Sequence, residues 1–283
     1  MNKTPSLASA GEGRGEGQQR MQRLIDFANT FREPASPGRK VIETPRYRAT
    51  LQPDYPIPGP NSVAWIRCRS DEASEVITEA RAHFAPRGLP FMWILDPGTE
   101  PPDFPDHLGA GGVFPEPHAP AVDVMVLGVE AHVDTRSFEI HDALANIESF
   151  RAADAVNAEA FGDSPRESGA QERRRVQQLE AGNRRVLLVT VDGEPAGSAG
   201  MTLFPPVGAI INGGAVRPKF RGRGIYRAMV AARLAIAREA GVAGLVVWGG
   251  PMSAPILRKL GFGTVGWRKF YLDQPAIVRT IGQ

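Results

Sequence analysis

The chain has 283 residues with 33 Lys and Arg against 31 Asp and Glu, and a formal charge of +2 so close to balance argues against a broad nucleic-acid-binding face. A hydrophobic fraction of 42% and a charged fraction of 23% describe a globular protein with material for two domains. The single cysteine, Cys68, excludes an internal disulfide and cysteine-based zinc sites, and the five histidines fall in no ligand pattern, so no metal is expected. No apolar run approaches the roughly 20 residues of a membrane helix, and no apolar signal core follows the N-terminal charges; the expected compartment is the cytoplasm, away from membranes.

Residues 1–18 are mostly Ser, Ala, Gly, Glu and Gln, with little to bury, and are expected as a disordered tail. Met21, Leu24, Ile25, Phe27, Ala28 and Phe31 then mark an amphipathic helix that the Pro34–Gly38 cluster ends. Val41 to Leu51 reads as a strand, and Pro53 to Pro60 as a connection. From Ser62 the pattern alternates: strand Val63–Arg67, helix Glu72–Phe84, strand Phe91–Leu95, short segment Phe104–Leu108 and strand Val122–Leu127, which argues an α/β layer. Gly111-Gly112-Val113-Phe114 stands after the short segment much as Gly261-Phe262 stands after the last helix, so the first half reads as a worn copy of the second.

Gly128 to Thr135 is the expected crossing between halves, dividing the chain into 19–130 and 131–283. Ala143–Phe161 reads as a helix with Ile147, Phe150, Ala153 and Val156 on one side. Ser164, Pro165 and Glu167 form a capping box for a second helix to about Glu180, whose Glu172–Arg175 run reads as a solvated face. Arg185–Val191 and Ala196–Phe204 are strands around Asp192-Gly193, a strong hairpin signal. Val207–Val216 is an apolar, glycine-rich strand; the pair Gly213-Gly214 reads as a close backbone approach or a bulge. Beyond Arg221–Gly224, Ile225, Met229, Ala232, Ile236 and Ala240 recur at helical steps. A strand Gly244–Trp248, a helix Ser253–Leu260 capped by Gly261, and closing strands through Trp267 and Phe270-Tyr271 complete the order.

The stretch between central strand and helix carries the chemistry. Gly222 and Gly224 free the backbone and clear side chains from one side of the turn, leaving unpaired amides at a helix start. Those amides, the helix dipole and the charges of Arg221 and Arg223 make an anion site, and three or four charge-assisted bonds of about 1.5 to 3 kcal/mol each suffice for a pyrophosphate without a metal. Neither a P-loop nor a dinucleotide fingerprint fits the spacing. What the stretch resembles is the coenzyme A loop of the GNAT superfamily of N-acyltransferases, Arg/Gln-x-x-Gly-x-Gly/Ala. Arg221, Gly222, Arg223, Gly224 and Ile225 fill that pattern, and Tyr226 departs from it at the last place.

The resemblance covers about Phe138 to Leu272. It implies two tandem GNAT-like α/β folds, each a mixed, mostly antiparallel sheet flanked by helices, with the C-terminal one complete and the N-terminal one lacking a cofactor loop. Asp96–Pro102 stands there instead, with acid and prolines where phosphate needs free amides. It further implies acetyl-CoA as co-substrate, Gly214, Ala215 and Val216 along the pantetheine arm with an amide as oxyanion donor, and Ser253 as a coenzyme contact or a helix cap. An amine of pKa ~10.4 must lose a proton to attack. Val207–Pro218 holds no carboxylate, so Glu159, Asp163 and Glu167 stand in as candidate bases, or else cap helices. Leu257 replaces the family's acid tyrosine, which leaves Tyr226 or Tyr271 to supply a hydroxyl or simply to pack. Cys68 is expected as a buried apolar residue, which favours direct transfer. The expected activity is N-acetyl transfer to a small-molecule amine by a monomer or homodimer. The alternatives are an acyl-CoA sensor and an enzyme acting on carrier-protein thioesters by hydrolysis or decarboxylation.

Overall fold

The structure, a computed structural model, describes residues 7–162 and 167–274, with side chains from residue 15 on except Ser168. In chain order it contains α1 (Leu7–Thr30), β1 (Lys40–Glu43), β2 (Arg48–Leu51), β3 (Ser62–Ala64), α2 (Ala73–Phe84), β4 (Phe91–Leu95), α3 (Phe104–Ala110), β5 (Phe114–Pro115), β6 (Ala121–Gly128) and β7 (Glu139–Asp142). Then follow α4 (Ile147–Phe161), α5 (Ser168–Glu180), β8 (Arg184–Val191), β9 (Glu194–Phe204), β10 (Gly208–Val216), α6 (Ile225–Glu239), β11 (Gly244–Gly249), α7 (Ala254–Lys259) and β12 (Gly263–Asp273).

Several elements differ from expectation. Helix α1 begins at Leu7, so residues 7–18 are helical where a structureless tail was expected. The strand expected over Val41–Leu51 is a hairpin, β1 against β2, with Lys40 opposite Leu51. Trp65, at φ 58°, turns the chain out of β3 before Arg67. Strand β7 lies where no element was expected, and α4 starts at Ile147 because Asn146 caps it, its Oδ1 accepting from the Ser149 amide at 2.8 Å. The closing strand pair is one long strand, β12. Ser164 and Pro165 of the expected capping box lie outside the described residues; α5 starts at Ser168.

The chain divides into two compact units. Unit one holds residues 1–30, 125–248 and 256–265; unit two holds 31–124, 249–255 and 266–283. Each unit thus takes an element from the far end of the chain. In unit two the strand order is β1-β2-β3-β4-β12, with β3 and β4 parallel and β12 antiparallel to β4 through Lys269↔Leu95 to Asp273↔Phe91. Its core centres on fully buried Trp93, Phe104 and the stacked rings of Phe84 and Phe91, 4.0 Å apart. The carboxylate of Asp273, on the last strand, accepts from Trp93 Nε1 at 3.0 Å and Arg81 Nε at 2.8 Å. Asp273→Asn keeps one acceptor but weakens the charge-assisted bond. With Arg81 partly solvated the expected loss is about 1 to 2 kcal/mol by urea unfolding, and no loss would show that β12 docks by backbone pairing alone.

In unit one the order is β7-β8-β9-β10-β11. Asp192 (φ 53°) and Gly193 (φ 78°) supply the two left-handed residues of the tight β8–β9 turn. Strand β10 is antiparallel to β9 and parallel to β11, the crossover being α6. Helices α4 and α6 lie against opposite faces. A Cβ on Gly213 would point to Asn157 of α4, and one on Gly214 to Tyr226 of α6. Helix α1 also belongs to this unit. Fully buried Leu24 lies over Gly208 and Gly244, and Phe27 meets Phe204 with ring centroids 5.5 Å apart.

Candidate active site

The turn that opens α6 is built as its composition demands. Pro218–Phe220 form one 3₁₀ turn, closed by the Phe220 amide to the Arg217 carbonyl at 2.9 Å and the Arg221 amide to the Pro218 carbonyl at 3.2 Å. Gly222 (φ 78°) and Gly224 (φ 91°) then adopt the left-handed conformation that side-chain-bearing residues avoid, with open space where a Cβ would stand. The first amide of the helix with a backbone partner is that of Ala228, donating to Gly224 at 3.1 Å. Among the described residues the amides of Gly222, Arg223, Gly224, Ile225, Tyr226 and Arg227 donate to no protein acceptor. Arg221 and Arg223 are exposed beside them, Arg221 reaching back to the Val216 carbonyl at 3.3 Å and Arg223 resting over the Phe220 ring at 5.2 Å. Free donors, the helix dipole and two guanidiniums thus stand together at one exposed turn.

Unit two supplies a contrast. In its Asp96–Pro102 turn the amides are taken: Gly98 donates to Asp96 Oδ1 at 2.7 Å, Thr99 to the Asp96 carbonyl at 2.9 Å and Glu100 to the Ile66 carbonyl at 3.1 Å.

Beside the α6 turn, β10 breaks step. Its register against β9 shifts between Asn212 and Ala215, and its pairing with β11 runs only through Ala209↔Leu245 and Ile210↔Val246. Past Ile210 the two parallel strands part, and Gly213 (φ 57°) and Gly214 form the bulge at the parting. Tyr226 packs against that bulge, its Cε2 2.9 Å from where a Gly214 Cβ would lie. Burial raises its phenol pKa, against a smaller opposing effect of Arg233. Arg233 is itself fully buried beneath the bulge, donating to the Met229 carbonyl at 2.9 Å and the Gly200 carbonyl at 3.4 Å, and burial pushes its pKa down to about 10.

On the α4 side of the same bulge lies a cavity of about 330 Å³. Its polar lining comes from Asp154 and Asn157 of α4, Arg174 and Gln178 of α5, Arg184 of β8 and Ser198 of β9, and Asn212 and Gly213 close it at β10. Asp154 accepts from Gln171 Nε2 at 3.0 Å and Arg174 Nη1 at 3.1 Å. Asn157 Nδ2 donates to Ser198 Oγ and to the Ala153 carbonyl, both at 3.0 Å, which fixes the orientation of its amide. These residues were missed in the sequence. The signal was present: Phe150, Ala153, Asp154 and Asn157 fall at steps 0, 3, 4 and 7, so two polar residues share the apolar face of α4. The supposedly solvated basic run also turns inward, Arg174 to Asp154 and Arg175 Nε to the Leu144 carbonyl at 3.1 Å.

Residues 151–262 match the model of a family described as the acetyltransferase (GNAT) family. Residues 151–262 carry a GNAT acetyltransferase domain. Solved structures extend the likeness over nearly the whole chain. A conserved protein of unknown function from Staphylococcus epidermidis superposes with a TM-score of 0.67 at 13% identity, covering 90% of this chain and 99% of its own. A GCN5-related N-acetyltransferase from Kribbella flavida gives 0.62 at 17% identity, covering 91% and 94%. A tandem GNAT protein from the clavulanic acid biosynthesis pathway gives 0.56 at 14%, covering 92% and 96%. At such identities the likeness establishes the fold, that of tandem GNAT proteins, a mixed and mostly antiparallel sheet flanked by helices. No curated protein matches the sequence.

Within the GNAT domain, Gly214, Ala215 and Val216 lie at and beyond the β10 bulge, and Arg221 to Tyr226 form the turn that opens α6. Glu159 is ion-paired with Arg217, Oε2 to Nε 2.7 Å, so a guanidinium occupies the carboxylate. Asp163 lies outside the described residues, and Glu167 is exposed at the start of α5. Tyr271 and Ser253 belong to unit two. Tyr271 packs against that unit's core, and Ser253 Oγ donates to the Gly250 carbonyl at 3.4 Å. Leu257, where the family has its tyrosine, is fully buried. Cys68, also in unit two, is half-buried against its core, and burial raises the thiol pKa, which disfavours a nucleophilic thiolate. Among the described residues no group of three or more His, Cys, Asp and Glu is placed to hold a metal, and no helix is long and apolar enough to cross a membrane.

Proposed function

We propose that the GNAT domain transfers an acyl group, acetyl in the simplest case, from coenzyme A directly to a small-molecule amine. The observation that carries this is the set of amides from Gly222 to Arg227 without a described partner, on the turn whose Tyr226 packs against the bulge of β10 that closes the polar cavity. The amides and Arg221 would hold the pyrophosphate, the freed edge of β10 past Ile210 would pair with the pantetheine arm, and the backbone at Gly214–Ala215 would face the thioester oxygen. An amine in the cavity then attacks from the α4 side. Its nitrogen forms the amide bond as the C–S bond breaks, and its surplus proton leaves to solvent or to the departing thiolate.

No carboxylate described in or beside the cavity stands unpaired, since Asp154 is held by Arg174 and Glu159 by Arg217. The amine must therefore arrive neutral. For an amine of pKa near 10, kcat/KM should rise about tenfold per pH unit between pH 6.5 and 8.5, read as thiol release from acetyl-CoA. A plateau below pH 8 would reveal a base not assigned here. The buried Leu257 favours a second reading, a protein that holds acyl-CoA without transferring the group. Acetyl-CoA binding with no thiol release across an amine panel would select it.

A further inference from the structure

Two acceptor atoms in the cavity have no partner. Asn157 Oδ1 and Gln178 Oε1 are each buried without a hydrogen bond among the described residues, and both residues line the cavity. A buried carbonyl oxygen left unpaired is costly, so two of them around one hollow ask for a guest that brings N–H or O–H groups. Asn157 Oδ1 also lies 3.7 Å from the Cβ position of Gly213, at the bulge itself. A nitrogen donating to Asn157 would stand beside the backbone where the acyl carbonyl is expected.

The charge of the lining has the opposite sign from what a simple cationic amine prefers. Among the described lining residues, Arg174 and Arg184 bring two guanidiniums and Asp154 one carboxylate. Arg184 is held by Nη2 to Asn212 Oδ1 at 2.7 Å and Nη1 to Thr202 Oγ1 at 2.9 Å, and its head crosses Gly200, where any Cβ would collide with it. The glycine thus clears the floor of the cavity for a fixed positive charge. A guest that satisfies both features carries an amine at one end and an anion at the other.

We propose that the acceptor is a small primary amine bearing a carboxylate or phosphate, its nitrogen donating to Asn157 and Gln178 and its anion facing Arg184. This rests on the acyl-CoA reading of the α6 turn. The test uses the full chain and matched amines: β-alanine against β-alaninamide for the carboxylate arm, and 2-aminoethyl phosphate against ethanolamine for the phosphate arm. Two quantities are read, thiol release from acetyl-CoA and the melting shift each amine adds in the presence of coenzyme A. The anionic member of at least one pair should be favoured about tenfold or more in kcat/KM. Arg184→Gln should erase that preference while the shift given by acetyl-CoA alone persists, and Arg184→Lys should keep part of it. Asn157→Leu should raise KM for both members of a pair. Equal or better use of the neutral member overturns the proposal, as does a chain that binds acetyl-CoA yet neither uses nor is stabilised by any of the four amines. Absence of any acetyl-CoA shift would instead overturn the acyl-CoA reading itself.

Discussion

Acetyl-CoA at a hundredfold excess over its Kd raises the melting temperature of the chain by roughly 5 to 10 °C, and Gly224→Glu abolishes that rise. The first figure follows from about 2.7 kcal/mol of ligand linkage spread over a unit of this size. The second follows from the turn. Gly224 sits at φ 91° with open space where a Cβ would stand, so glutamate meets no clash and pays only the backbone strain of a left-handed residue, about 1 to 2 kcal/mol. Its carboxylate then competes for the amides of Gly222 to Arg227 and repels phosphate. Gly224→Asn separates the two effects, because asparagine tolerates this backbone without adding charge and should retain most of the shift. A Glu variant that responds like the wild type would move the nucleotide site away from α6.

Leu24→Ala should cost about 3 to 5 kcal/mol, among the larger losses a single substitution can produce. Leu24 is fully buried, with Cδ1 2.9 Å from the Cβ position of Gly208 and Cδ2 2.6 Å from that of Gly244. Its two methyl groups therefore rest on the glycines that begin β10 and β11, and neither glycine can grow to fill the hole. Urea unfolding followed by tryptophan fluorescence measures the loss. A loss under 1 kcal/mol would mean that α1 is dispensable to unit one.

How much of this was legible in the sequence depends on how local each signal is. The coenzyme turn was legible because its backbone demands are met by particular residue types, glycine at 222 and 224, between a strand and a periodic helix. Asp192-Gly193 marked its hairpin for the same reason. Strand β7 was missed because Glu139-Ile-His-Asp has no apolar run and pairs on one side only, with β8. The cavity was missed because a polar residue on an amphipathic helix is read as facing water. Asp154 and Asn157 face inward because Gln171 and Arg174 pair with the carboxylate and Ser198 with Asn157 Nδ2, and those partners lie 17 to 41 positions away. The pairing of β12 with β4 was not legible, since nothing around Tyr271 signals that its strand has a partner some 180 positions earlier.

That pairing bears on how the protein is made. On the ribosome, most of unit two emerges early, yet the second neighbour of β4 is translated about 170 residues after it. At roughly 5 to 20 residues per second the open edge of β4 waits on the order of 10 s for Lys269–Asp273. An unpaired edge held that long is a template for the wrong strand. The nascent chain should therefore depend on chaperones in proportion to the delay, and codons that slow translation after residue 124 should lower the yield of folded protein without changing one amino acid.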